Sequence, residues 1–206
     1  MIRYNNDEGF TGLEAAIVLI AFVVVAATFS YVVLGAGFFT TQKTQEVVYT
    51  SVGQASSSIE ILGDVYGNST TEGGIDAKID GLRFVAGLTA GGSSVDFAST
   101  TMTFSTEETV KKINNVTAIN SYSTNVVVDK SAIGSDEWGI IDIANSYSKD
   151  ALLENQEQFT IYVKLGSDTE IEKNQEFNLE IRPAIGASYG IKRTAPAKID
   201  KINILN

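Results

Sequence analysis

Few residues of this sequence have types and spacings that could do chemistry. Thr11-Gly12-Leu13-Glu14 has the S/T-x-x-E spacing of a helix capping box, immediately before an apolar run. On one reading Thr11 caps the helix and Glu14 complements the positive end of its dipole. On the other, Glu14 at the edge of an apolar environment seeks a specific cation, because a buried carboxylate is costly unless paired. Cleavage between Gly9 and Phe10 would supply that cation as a new α-amino group on Phe10, one turn away, in the same or a neighbouring chain. Gly9 suits such a cut, since glycine lets a backbone extend into a protease site. The spacing alone leaves both readings of Glu14 open.

Two N-x-S/T motifs, at Asn68 and Asn115, are candidate N-glycosylation acceptors if the chain is translocated. The paired acids Glu107-Glu108 and Asp136-Glu137 read as solvated faces, and a metal or catalytic role would need a third group from elsewhere. The sequence contains no His and no Cys. That removes the commonest general base, the commonest zinc ligand, every thiolate site and any disulfide framework. There is no GxxxxGK[ST] loop, so no nucleotide site is expected. The formal charge of −10 and pI of about 4.5 disfavour nucleic-acid phosphates as a partner. These absences argue against an enzyme, a metal site or a cofactor.

The element that must position Glu14 is the stretch Phe10 to Phe39. From Ala15 to Gln42 it carries no charged side chain. The roughly 20 residues that span a bilayer fit inside it. It is apolar on every side, so lipid or other helices must cover it all round. Only nine residues precede it, and no small-residue cleavage site with a polar shift follows Phe39, as an ordinary secretory signal would require. Small residues at Ala26, Ala27, Ser30, Gly35 and Gly37 allow close helix approach, and the two glycines are candidate bend points. Beyond Thr40, the apolar residues Val48, Val52, Ala55, Ile59 and Leu62 form a narrow seam between polar ones. The pattern predicts a helix from about Thr11 to about Leu62, on the order of 75 Å long, with its seam docked on the remainder of the chain.

Gly63 to Gly74 reads as a break and a domain boundary. Strands are predicted near residues 79–85, 100–104, 113–119, 126–128, 138–143, 159–165, 177–181 and 189–192. The alternation of Phe159, Ile161, Val163 and Leu165 with Thr160, Tyr162 and Lys164 marks a half-buried strand, and so does that of Phe177, Leu179 and Ile181 with Asn178, Glu180 and Arg182. Many short strands at this spacing predict an antiparallel sandwich or barrel. The fold class is therefore α+β: a long hydrophobic N-terminal helix followed by an antiparallel, Ig-like β-sandwich or barrel domain.

The Gly9/Phe10 junction, the glutamate after it and the run GLEAAIVLIAFVVVAATFSYVVLGAGFF resemble the archaellins. These are the archaeal flagellins, relatives of type IV pilins with class III signal peptides. The stretch Phe177 to Asp200 also resembles the end of that family. Asp7 and Glu8 stand where the family usually carries basic residues. The resemblance implies a signal peptide at residues 1–9 cut by a prepilin-type peptidase, a filament-core helix at 10–62 and an exterior β domain at 63–206. It implies a membrane-inserted precursor, then an extracellular filament built from copies of this chain, alone or with other archaellins, used for swimming. It marks Phe10, Thr11 and Glu14 as the assembly end of the helix and strengthens Asn68 and Asn115 as glycan acceptors. A chain starting at Phe10 keeps 14 basic and 23 acidic residues, about −9. A pilin-like adhesion filament, a non-polymerising membrane-anchored domain and a surface enzyme using carboxylates are the alternatives.

Overall fold

The computed structural model describes residues 7–71, 74, 76–120 and 122–205, with side chains from Gly12 onward except that of Ser56. The chain divides into two compact units, Met1–Thr50 and Ser51–Asn206. Helix α1 covers Asp7–Ser56, 50 residues, or about 75 Å at the standard rise. Val-rich sequence is a poor helix former by propensity, yet α1 is unbroken through Val23-Val24-Val25 and through Gly35 and Gly37. A helix satisfies every backbone polar group internally, which an apolar surrounding demands. The threonine hydroxyls follow the same rule. Those of Thr28, Thr40, Thr41 and Thr44 donate to the carbonyls of Val24, Ala36, Gly37 and Thr40, at 2.6, 2.8, 2.9 and 2.8 Å. Each is thereby satisfied without a partner outside the helix.

α1 stops at Ser56, short of the predicted Leu62. The run Ser56-Ser57-Ser58 competes for backbone hydrogen bonds, and the Ser57 amide makes one last helical bond to Gly53 O at 3.0 Å. The apolar seam then divides. Val48, Val52 and Ala55 stay exposed, while Ile59 is buried in a strand.

Twelve strands follow among the described residues: β1 Ile59–Ile61, β2 Val65–Asn68, β3 Gly81–Leu88, β4 Val95–Asp96, β5 Thr101–Thr106, β6 Val110–Asn115, β7 Glu137–Ala144, β8 Leu152–Leu153, β9 Gln158–Lys164, β10 Glu176–Arg182, β11 Tyr189–Thr194 and β12 Ile202–Leu205. Ten of them form one sheet in the order β11-β10-β5-β6-β7-β9-β3-β2-β12, with β1 sharing the β2 edge of β3, and β4 pairs with β8 alone. Every pairing is antiparallel except β6 with β7. Ile191 on β11 and Leu205 on β12 sit at opposite ends of this order yet belong to one buried cluster. The sheet therefore curls around a single core, nearly a barrel. Phe97 meets Trp138 and Phe159 edge-on at 6.2 and 5.3 Å, and Phe104 stacks on Phe177 at 5.9 Å. Fully burying each of these side chains contributes about 1.5–3 kcal/mol.

Most predicted strands are present. The exceptions have local reasons. Val65–Asn68 lies inside the predicted break but pairs with both β3 and β12. The stretch 126–128 makes only isolated bridges, such as Val127 to Ile140. β6 ends at Asn115, and Ile119 is buried in the turn beyond it. Tyr162, predicted to face outward, does so but is 3% exposed because the segment around Lys130 covers it.

Gly186 joins the loop after β10 to the end of α1. Its φ is 119°, and a Cβ there would lie 2.1 Å from the Ser57 carbonyl oxygen. The next residue's amide donates to that same oxygen at 3.2 Å. Gly186→Ala is expected to destabilise the β unit by about 1–3 kcal/mol. The check is a lower urea midpoint with unchanged slope; an unchanged midpoint would mean the loop moves aside without cost.

Candidate functional site

The residues singled out at the chain's start lie in α1. Gly9, Phe10 and Thr11 are helical, and their side chains lie outside the described residues. Because α1 is already running at Asp7, Thr11 is a helix-interior residue in the uncut chain and not its N-cap. Glu14 is exposed two turns into the helix. In a chain beginning at Phe10, Glu14 would lie one turn from the terminus, four residues from the new amine and on the same face as it.

Every side chain from Gly12 to Val52 is exposed, including Phe22, Phe29, Phe38 and Phe39 at 63–72%. α1 is long and apolar enough to cross a membrane. Among the apolar side chains a shallow groove runs along Ser30, Val33, Leu34, Gly37 and Thr41, flanked by Phe29 and Phe38. Ser30 and Gly37 leave it open between Phe29 and Phe38, the shape another helix would fill. Such a helix could stay folded in water only at the cost of exposing this whole surface.

The two glycosylation motifs differ in setting. Asn68 ends β2 and faces the same side as exposed Ile202, its partner across the ladder. Its Oδ1 is buried without a hydrogen-bond partner among the described residues. The Thr70 hydroxyl of that motif is engaged by Asp80. Asn115 ends β6, half-buried, and its Nδ2 donates to Ile119 O at 3.1 Å. An N-linked sugar leaves one hydrogen on that nitrogen, so Asn115 can carry a glycan and keep the bond.

The acidic pairs separate in role. Glu107 and Glu108 form the exposed tip of the β5–β6 hairpin, closed by the Thr106 amide on Thr109 O at 2.8 Å. Asp136 is instead a structural brace with φ of 58°. Its carboxylate accepts from Thr169 Oγ1 at 2.7 Å and the Gly166 amide at 3.1 Å, and pairs with Lys111 Nζ at 2.8 Å. Burial pushes its pKa up. The hydrogen bonds from Lys111, Thr169 and Gly166 outweigh that and hold the carboxyl below its ordinary value. Glu137 Oε2 accepts from the Gly134 amide at 2.9 Å and fixes the preceding turn. Sequence reasoning could not find this brace, because the partners of Asp136 come from distant positions. Among the described residues no three acids converge on a metal-sized site.

A family model described as archaeal-type flagellin matches residues 9–193. "Probable flagellin 1" of Archaeoglobus fulgidus is 41% identical over 204 residues, covering 98% of this chain and 96% of that one. The "24 kDa flagellin" of Methanospirillum hungatei is 88% identical over 32 residues, 16% of this chain and the full length of that short sequence. A chain from the solved structure of the archaeal flagellum of Methanospirillum hungatei strain JF1 superposes with a TM-score of 0.69 at 31% identity, covering 95% of this chain and 99% of that one.

The brace gives a pH expectation. A carboxylate whose folded pKa is depressed contributes stability that is complete above its unfolded value, about 3.9, and is lost as pH falls through the folded value. Asp136→Asn should therefore cost about 1–3 kcal/mol at neutral pH and flatten the loss of stability below about pH 4. Thermal melts of both proteins from pH 7 to pH 2 check this; parallel curves would remove Asp136 from the acid response.

Proposed function

We infer what this protein does from one premise: the chain belongs to the archaeal-type flagellin family. It is a structural subunit of the archaellum, the archaeal flagellum filament used for swimming, and it acts outside the cell as part of a surface appendage. Its work is mechanical. The observation that carries the mechanism is the exposure of α1 from Gly12 to Val52 on the single chain, with no charged side chain from Ala15 to Gln42. Copies of α1 packed together cover that surface and form the filament core, with the β units outside. Removing apolar area from water contributes about 25 cal/mol per Å2, but lipid already covers the helix before assembly. Helix-on-helix packing, through the groove at Gly37 and the small residues near it, supplies the preference for the filament over the bilayer.

The route into the filament starts with the precursor in the membrane. A prepilin-type signal peptidase cuts after Gly9, removing residues 1–9. The first turns of α1 must unwind for the bond to enter the peptidase, and Gly9 and Gly12 make that unwinding cheap. The new α-amino group on Phe10 then pairs with Glu14 of its own or a neighbouring chain, so that neither charge enters the core alone. Asn115 is the glycan acceptor that the fold favours over Asn68, whose carbonyl is buried and whose Thr70 hydroxyl is taken.

The intact mass and N-terminal sequence of protein sheared from cells test this route. The expected chain starts at Phe10 and carries extra mass at Asn115; a chain starting at Met1, or found only in membranes, would sink it. Glu14→Ala should reduce filament yield while the β unit stays folded. Normal filaments from that variant would leave Glu14 as a dipole complement only.

A further inference from the structure

We propose that the outward face of β9, β3, β2 and β12 receives the β5–β6 hairpin tip of a second copy of this chain, joining β units head to tail. The proposal rests on the filament reading above and adds which surfaces meet.

The receiving face is built by register. Ile204, Tyr66, Arg83 and Tyr162 are direct partners across β12, β2, β3 and β9, so their side chains share one face. Arg83 lies over the Tyr66 ring at 5.0 Å and Lys130 over the Tyr162 ring at 4.4 Å. Lys164 and Lys201 complete a set of four cations. Burial pushes the Lys130 ammonium below its ordinary pKa; Asp80 opposes this, while the charges of Arg83, Lys164 and Lys201 push it further. None of the four has a carboxylate oxygen of a described residue within 4.0 Å, which is also true of Lys112, Lys149 and Arg193, whereas Lys43, Lys78, Lys111, Arg182, Lys192 and Lys198 do. What sets the four apart is that they gather on one face around Asp80, more positive than negative on a chain of net charge −10. Beside it, Ile202 and Ile204 on edge strand β12 are 55% and 54% exposed. An uncovered apolar edge strand is an association site unless something covers it.

The hairpin tip matches that face in sign and in kind. Glu107 and Glu108 have no cation of a described residue within 4.0 Å, and Val110 beside them is 75% exposed. The tip borders a groove of about 770 Å3 that also carries Lys173 and two acids already paired within the chain, Glu172 with Lys78 and Glu176 with Lys192, so Glu107 and Glu108 are the acids it offers to a partner. Receiver and tip lie on different strands, β9, β3, β2 and β12 against the β5–β6 turn, so the two surfaces are distinct. A contact between different surfaces of identical copies does not close on itself unless its rotation makes a ring; otherwise it propagates as a helical filament. Complementary charge fixes its register.

Two experiments on whole filaments test it. Lys130→Glu with Lys201→Glu is expected to abolish filaments, and adding Glu107→Lys with Glu108→Lys to the same chain to restore them. The chain has no Cys, so Lys201→Cys with Glu108→Cys gives a clean background; oxidised filaments should run as a ladder of covalent multimers. The ladder decides the matter if the reversed variant fails to fold. Unchanged filaments from the reversed chain, a cross-link confined to one chain, filaments without a ladder, or a glycan found on Asn68 would each overturn the proposal. Absence of filaments from the parent chain would overturn the filament reading instead.

Discussion

A helix that is apolar on all sides needs company on all sides. From Ala15 to Gln42 this chain has no charge, and the helix built from it presents its phenylalanines and valines to the outside. Nothing in an isolated chain in water can satisfy that surface. Two environments can: a bilayer, or a bundle of like helices. On the proposed route the same segment has to be acceptable in both, and its details fit that double requirement. Its threonines return their hydroxyls to the helix's own carbonyls, which costs nothing in lipid. Its glycines and alanines permit close approach, which is of use only against another helix.

The helix and the sheet were legible in the sequence because they carry clear periods. The uncharged run, and then the alternation of Phe177, Leu179 and Ile181, gave α1 and β10 directly. What was hidden lacked a period of its own. β2 reads as a turn because it contains Gly67 and Asn68, and only pairing with β3 and β12 makes it a strand. The end of α1 was misplaced because Ile59 fits a helical seam and a strand equally well, and the sheet edge decided between them. Thr11 fits a capping box, yet the helix passes through it from Asp7. The capping reading assumed a terminus that exists only after a cut. The proposed cleavage and assembly residues Gly9, Phe10 and Glu14 rest on local pattern, whereas the brace of Asp136 on Lys111 and Thr169 depends on contacts that no local pattern reveals.

Charge on this chain is also unevenly used. Ion pairs on the β unit are mostly between exposed neighbours, such as Lys198 with Asp200 and Arg182 with Glu180, and these contribute little to stability. The Asp136 pair is different because it is partly buried and also held by neutral donors. An acidic exterior keeps free subunits apart, and salt screens that repulsion. The basic set around Lys130 differs from these pairs in that two of its members, Arg83 and Lys130, rest on aromatic rings.

The pairing of β12 with β2 has a consequence in time. Asn203 Nδ2 donates to Gly67 O across 136 positions of sequence, and β12 is the edge beside β2, the second strand after the helix. As the chain emerges from the ribosome, α1 is complete when fewer than a third of the residues have been made. The sheet cannot close until nearly all of them have. Contacts this distant form slowly, because the loop between them must first be brought together. The apolar helix is thus ready to choose its surroundings while the β unit is still an open chain. Delivery of the helix and folding of the β unit are separated by the order of synthesis alone.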